Sequence, residues 1–173
     1  MNSRDREELA DFCAREHRRL VGTLTLHCGD PAVAAELAQE ALAKACQHWQ
    51  SVREMDAPGA WVHRVAINLS SSYYRRKKAE RAATERFGGR RQVGEDGSDR
   101  PEPAEVLAVR KAVAGLPPRQ RTALVLRYYS DLSVDQTAEA MGCRPGTVKS
   151  LTSQALDSLR ATGLADLEEP AHA

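Results

Sequence analysis

The chain has 173 residues and carries 25 Lys and Arg against 24 Asp and Glu, a formal net charge of +1. This length suits one ordinary domain or two small ones, and the near-neutral balance excludes a global field drawing the chain onto nucleic acid or membrane, so an electrostatic partner must be met by a local patch. Aromatic residues make up 5% of the chain, while Ala, Leu, Glu, Arg and Gln abound without β-branched runs, which points to an all-α fold.

In chain order, the first predicted helix runs from about Asp5 to His27. A second starts after Gly29-Asp30, with Asp30 as N-cap and Pro31 at the first helical position, and continues to about Gln50. A third begins near DAPGAW, with Asp56 as its cap, and runs through VHRVAINLSSSYYRRKKAER. Residues 86–103, RFGGRRQVGEDGSDRPEP, break every helical pattern with Gly, Pro and clustered charge and read as a flexible linker. The chain therefore divides into a module over residues 1–85, a linker over 86–103 and a second module over 104–165, the last with shorter helices near 104–114, 118–129, 134–141 and 145–161.

On the second helix, Leu37, Ala38, Ala41, Leu42, Ala45 and Trp49 form the inner stripe, whereas Val33, Glu36, Glu40, Lys44 and Gln47 fall on the outer face. That outer face is mostly acidic, unsuited to DNA, and is either plain solvated surface or a protein-docking surface. The third helix is polarised more sharply. Val62, Val65, Ala66, Leu69 and Tyr73 lie on one side, and Arg64, Asn68, Ser71, Arg75 and Lys78 line another at spacings of three and four. The RRKKAER run beyond it, beside Tyr73 and Tyr74, is either a solvated basic helix end or a surface for a nucleic-acid backbone and unstacked bases.

Between Ser133 and Arg160 lie a helix capped by Ser133, a tight turn at Gly142-Cys143-Arg144 and a second helix entered through Pro145. This is the pattern of a helix-turn-helix, with an ordinary αα-hairpin as the alternative. At 100° per residue, Val148, Leu151, Thr152, Ala155 and Leu159 gather on a packing face, and Lys149, Ser150, Ser153, Gln154 and Asp157 on the opposite one. Ser and Gln bond base edges, Lys149 suits a phosphate or guanine, and the backbone N–H groups of Gly146 and Thr147 suit a phosphate at a helix N-terminus.

The four cysteines, Cys13, Cys28, Cys46 and Cys143, form no CxxC pair and stand in no zinc spacing, so they read as buried free thiols. No Gly-rich phosphate loop, GxSxG or HExxH motif is present. Neither a catalytic role, a cofactor nor a metal is expected. The absence of a signal peptide and of any stretch near the roughly 20 apolar residues that cross a bilayer implies a cytoplasmic protein without membrane insertion.

Taken together, GDPAVAAELAQEALAKA and PGAWVHRVAINL resemble region 2 of the bacterial group IV, extracytoplasmic-function sigma factors, and LPPRQRTALVLRYYSDLSVDQTAEAMGCRPGTVKS resembles region 4 in order and spacing. Within that family the recognition helix is most similar to an actinobacterial branch with the pattern TVKSxTSxAL. The resemblance implies a factor that binds core RNA polymerase, recognises a two-part promoter and helps melt it. By position, it assigns Glu36, Gln39, Glu40 and Gln47 to the polymerase contact. It assigns Arg53, Met55 and Asp56, from the base-capturing loop SVREMDAPG, together with Arg64, Asn68, Ser71, Arg75, Arg76 and Lys78 to the minus-ten element. Arg144, Gly146, Thr147, Lys149, Ser150, Ser153 and Gln154 fall to the minus-thirty-five element. It also implies a linker directed toward the polymerase active-site channel, and modules that pack on each other or are clamped by an anti-sigma protein. Many family members have acidic residues where this chain has Val33 and Ala35, and often Arg where Leu151 and Gln154 stand. The alternative reading is a stand-alone helix-turn-helix transcriptional regulator, which usually dimerises on a palindrome; no coiled-coil seam supports that. A third is a protein-interaction module without DNA binding.

Overall fold

The computed structural model describes residues 3–86 and 103–163. The expected linker falls outside the described residues except at its two ends, as do the last two residues of the expected second module. Among the described residues the chain is helical throughout, with α1 (Ser3–Cys28), α2 (Pro31–Gln47), α3 (Trp49–Val52), α4 (Pro58–Arg86), α5 (Ala104–Gly115), α6 (Pro118–Leu124), a π-helical turn (Val125–Tyr129), α7 (Val134–Met141) and α8 (Pro145–Ala161).

The first module is built on the α1–α2 hairpin. α1 buries Phe12, Glu16, Leu20, Thr23 and Leu24, spaced so that one stripe faces inward. Gly29 ends it at φ +76°, a left-handed conformation that costs other residues more. Asp30 then caps α2, its carboxylate accepting from the N–H groups of Ala32 (3.0 Å) and Val33 (3.1 Å), with Pro31 in the first turn as expected. The inner stripe of α2 packs with Phe12, Leu20 and Leu24 of α1 and Val62 and Ala66 of α4 in one apolar cluster.

Four local expectations need correction. Val33, placed on the outer face, is buried in that same cluster, at the edge of the stripe one turn before Leu37. The second helix stops at Gln47 rather than Gln50: His48 leaves helical geometry (φ −110°, ψ 19°), and the short α3 swings Trp49 and Val52 into the core. The N–H of Trp61 bonds to the carbonyl of Ala57 (3.2 Å), so Ala57 rather than Asp56 holds the cap position of α4. Finally, none of the cysteines is fully buried: Cys46 is exposed and Cys13, Cys28 and Cys143 are half-buried.

In the second module, α5, α6 and α8 enclose Val113, Leu116, Leu124, Val125, Ala155, Leu156 and Leu159, joined by Leu26 from α1. The expected single helix over 118–129 is α-helical only to Leu124. The N–H of Ser130 reaches back five residues to the carbonyl of Val125 (3.0 Å), the wide spacing of a π turn, and that of Leu132 bonds to the carbonyl of Leu126 (3.1 Å) as the chain leaves it. Asp131, at φ +53°, completes the reversal into α7.

The two modules pack on each other. A third apolar cluster joins Ala60 and Ile67 of α4 to Leu126, Leu132 and Ala140 of the second module. Beside it, Arg19 of α1 donates to the carbonyl of Ser130 (2.7 Å), and the hydroxyls of Thr23 and Ser130, both fully buried, meet at 2.8 Å. Thr23 spends its proton on the carbonyl of Arg19 (2.8 Å), so Ser130 is the donor between the hydroxyls. Arg121 donates to the carbonyl of His27 (3.1 Å), while Thr122 spends its proton on the carbonyl of Pro118 (2.9 Å) and faces His27 Nδ1 at 3.3 Å. His27 Nδ1–H is therefore the donor of that contact. Burial, reinforced by the Arg121 charge, lowers the His27 pKa from 6.5 to about 4.

Candidate nucleic-acid interface

The helix-turn-helix forms as its residues dictate. Ser133 and Gln136 make a reciprocal capping box at the start of α7: the Gln136 N–H donates to Ser133 Oγ (3.1 Å) and the Ser133 N–H to Gln136 Oε1 (2.9 Å). Gly142, at φ +59°, closes α7, and the N–H of Cys143 bonds back to the carbonyl of Ala138 (2.9 Å). Pro145 then opens α8.

α8 divides as its periodicity requires. Val148, Ala155 and Leu159 are buried with Leu156, which the face count omitted; Leu151 and Thr152 are half-buried at the edge. Lys149, Ser150, Ser153 and Gln154 are all exposed on the opposite side, as are Arg144 and Gly146 at the N-terminal end. Thr147 is half-buried, and its N–H already donates to the carbonyl of Arg144 (2.9 Å), so it is less available to a phosphate than expected. Gly146 keeps the open first turn: a Cβ there would meet nothing within 4 Å.

Two residues on this face escaped the sequence reading. Gln120 of α6 donates to Gln154 Oε1 (3.1 Å) while Gln154 donates to Ser150 Oγ (3.2 Å), so the Gln154 amide is held from both ends. Arg160 pairs with Asp157 at 3.1 Å, which offsets the acidic charge on the reading face. The spacing of three between Asp157 and Arg160 signals the pair in sequence; nothing in sequence signals Gln120.

On α4, Asn68, Ser71, Arg75 and Lys78 line an exposed stripe, and Arg76 is exposed beside it, 3.8 Å from Glu80. Arg64 heads the stripe with its guanidinium 2.6 Å from Glu139 of α7, an ion pair that a ligand would have to break. Tyr73 and Tyr74 are turned away from the role of stacking platforms. Tyr73 packs on the first-module core with Lys77 and Arg76 over its ring, and the Tyr74 hydroxyl donates to the carbonyl of Cys28 (3.1 Å). Burial, reinforced by neighbouring groups, pushes the Tyr74 phenol up.

In the loop before α4, Met55 and Asp56 are exposed, but Arg53 is drawn back to α1, bonded to Asp5 and 2.7 Å from Glu8. Sequence reasoning missed this clamp because the partners lie more than forty positions apart, Arg53 to Asp5 spanning 48. Glu36, Gln39, Glu40 and Gln47 are all exposed on one side of α2, with exposed Ala43 among them.

Comparison with known proteins agrees with this architecture. Residues 12–80 match the family described as Sigma-70 region 2, and residues 107–159 match Sigma-70, region 4. The chain is 34% identical over 152 residues to the RNA polymerase sigma-E factor of Streptomyces coelicolor, covering 87% of this chain and 78% of that protein. It is 31% identical over 138 residues to the ECF RNA polymerase sigma factor SigW of Bacillus subtilis, covering 73% of each. Among solved structures, the co-crystal structure of the sigma factor RpoE in complex with the anti-sigma factor NepR from Bartonella quintana has a chain of the same fold, with a TM-score of 0.75 at 22% identity, covering 93% of this chain and 99% of that one. Two matched regions in the order of the two helical modules, with relatives along most of their length, show that the chain belongs to the extracytoplasmic-function sigma factors of the sigma-70 family, which direct transcription initiation.

Proposed function

We propose that the polar faces of this sigma factor divide its work as follows. The outer face of α2, with Glu36, Gln39, Glu40 and Gln47, docks on core RNA polymerase. α8 reads the minus-thirty-five element through Lys149, Ser150, Ser153 and Gln154, with Arg144 and the first-turn amides of Gly146 and Thr147 on phosphate. Met55 and Asp56 with the α4 stripe of Asn68, Ser71, Arg75, Arg76 and Lys78 hold the melted minus-ten strand, joined by Arg53 and Arg64 once they leave their acidic partners. Each flipped base costs a few kcal/mol to unstack, repaid by pocket and phosphate contacts. The factor is not an enzyme, acts in the cytoplasm, and is opposed by an anti-sigma protein. Its boundaries are 1–85 for region 2, 86–103 for the linker and 104–165 for region 4, and its recognition helix belongs to an actinobacterial branch.

The observation that carries this reading is the state of Arg64, a minus-ten residue paired to Glu139 of the helix-turn-helix. Its use on DNA requires that pair to break, and the packed arrangement is read as the unengaged state. Reconstitution with core polymerase tests the whole scheme: specific transcription from a genomic promoter library that depends on this chain supports it. Tight duplex binding without polymerase and without transcription overturns it in favour of a stand-alone regulator.

A further inference from the structure

The surface of the α1–α2 hairpin holds a feature that transcription does not call on. Cys13 and Cys46, 33 positions apart in sequence, place their sulfurs 3.9 Å from each other. α1 and α2 are the most extensively packed pair of helices in the molecule, and Cys13 itself packs against the first-module core, so the two thiols are held as neighbours by the fold. A disulfide needs its sulfurs at about 2.05 Å, an approach of about 1.9 Å from their present separation, and Cys46 is exposed rather than locked in the core. The other thiols are differently placed: Cys28 lies against Ser70 Oγ at 3.2 Å, and Cys143 sits in the turn between α7 and α8.

We propose that Cys13 and Cys46 are a peroxide-responsive dithiol site that closes to an intramolecular disulfide and staples α1 to α2. The order of events follows from exposure. Cys46 faces solvent and meets the oxidant first. Cys13 is pushed up to about 11, by burial first and then by its neighbour Cys46, so it keeps its proton. The Cys46 thiolate attacks one oxygen of hydrogen peroxide, the O–O bond breaks, and Cys46 becomes a sulfenic acid as hydroxide takes up a proton and leaves as water. The Cys13 sulfur then attacks the Cys46 sulfur, the S–S bond forms, and the sulfenic hydroxyl departs with the Cys13 proton as a second water. Two thiols lose one electron each, and the peroxide gains both. The bond closes the chain between α1 and α2, which restricts the unfolded ensemble more than the native hairpin.

The test uses the full reduced chain treated with limiting hydrogen peroxide. Thiol titration is expected to fall from four to two, with a Cys13–Cys46 crosslinked peptide in the mass map and four thiols restored by dithiothreitol. In Cys13→Ser, peroxide is expected to leave a Cys46 sulfenic acid that a dimedone probe captures, and in Cys46→Ser no crosslink should form. The oxidised wild-type chain should unfold at a midpoint higher by roughly 4 °C or more than the reduced chain, a difference absent in Cys46→Ser. Crosslinks mainly to Cys28 or Cys143, mainly intermolecular dimers, or a dimedone-reactive Cys46 persisting in the wild-type chain would overturn the dithiol site. A crosslink with an unchanged midpoint would overturn the staple.

Discussion

Removing the Thr23 hydroxyl should loosen the junction between the modules more than removing its partner's. The Ser130 hydroxyl donates to Thr23 Oγ1 at 2.8 Å in a fully buried setting, while Thr23 donates within its own helix. Thr23→Val conserves shape but leaves the Ser130 hydroxyl buried without its acceptor, a cost of about 1–3 kcal/mol. When the modules part, that hydroxyl finds water, so the cost falls on closure and raises the open-to-closed ratio about 5- to 150-fold. Ser130→Ala deletes the donor and leaves the Thr23 bond to Arg19 intact, costing about 1 kcal/mol or less. The double variant removes both groups and should be less destabilised than Thr23→Val alone. Urea unfolding of the full chain, paired with solution scattering to read module separation, measures all three. A Thr23→Val chain no worse than Ser130→Ala, or a double variant equal to the sum of the singles, would refute the donor assignment and the role of this bond in closure.

Three further outcomes are expected. The His27 pKa is depressed from 6.5 to about 4 in the folded chain, so the unfolded chain binds more protons; stability is intact above about pH 6.5, falls as pH drops and levels off below about 4. The loss is about 1.4 kcal/mol at about pH 5.5, and His27→Asn should flatten this part of a pH series of urea midpoints. A Cβ at Gly22 would lie 1.8 Å from Tyr129 Oη across the junction. Gly22→Ala should therefore weaken closure in the wild-type background, yet add about 1 kcal/mol of helix stability in a Tyr129→Ala background; thermal unfolding of the four chains reads the reversal of sign. Lys149→Ala combined with Gln154→Ala should change use of the upstream promoter element while sparing polymerase binding, as compared by transcription of promoter variants and by polymerase pull-down; unchanged promoter preference would sink the assignment of the reading face.

What the sequence makes legible here is whatever a single helix decides for itself. Asp30, Ser133 and Gly142 mark their helix ends because capping is a contact among neighbours in sequence, and α8 separates Val148 from Lys149 because a 100° step does so in any amphipathic helix. Val33 sits at the edge of the α2 stripe, one turn before Leu37, where periodicity does not decide between core and solvent and the packed cluster buries it. The π turn at Val125–Tyr129 is equally hidden, because its sequence continues a helical pattern and only the wider hydrogen-bond spacing sets it apart. The candidate site divides along the same line. Its exposed faces are readable, but the states of Arg53, Arg64 and Gln154 are set by Asp5, Glu139 and Gln120, partners 48, 75 and 34 positions away. Glu139 belongs to the helix-turn-helix and Arg64 to the α4 stripe, so one ion pair ties the polar face of the first module to the position of the second. An exposed pair of this kind is worth about 1 kcal/mol or less. The hold on the modules therefore rests mainly on the buried Leu126, Leu132 and Ile67 contacts and the Thr23–Ser130 bond, while Arg64–Glu139 adds a weaker polar contact at the rim of the junction.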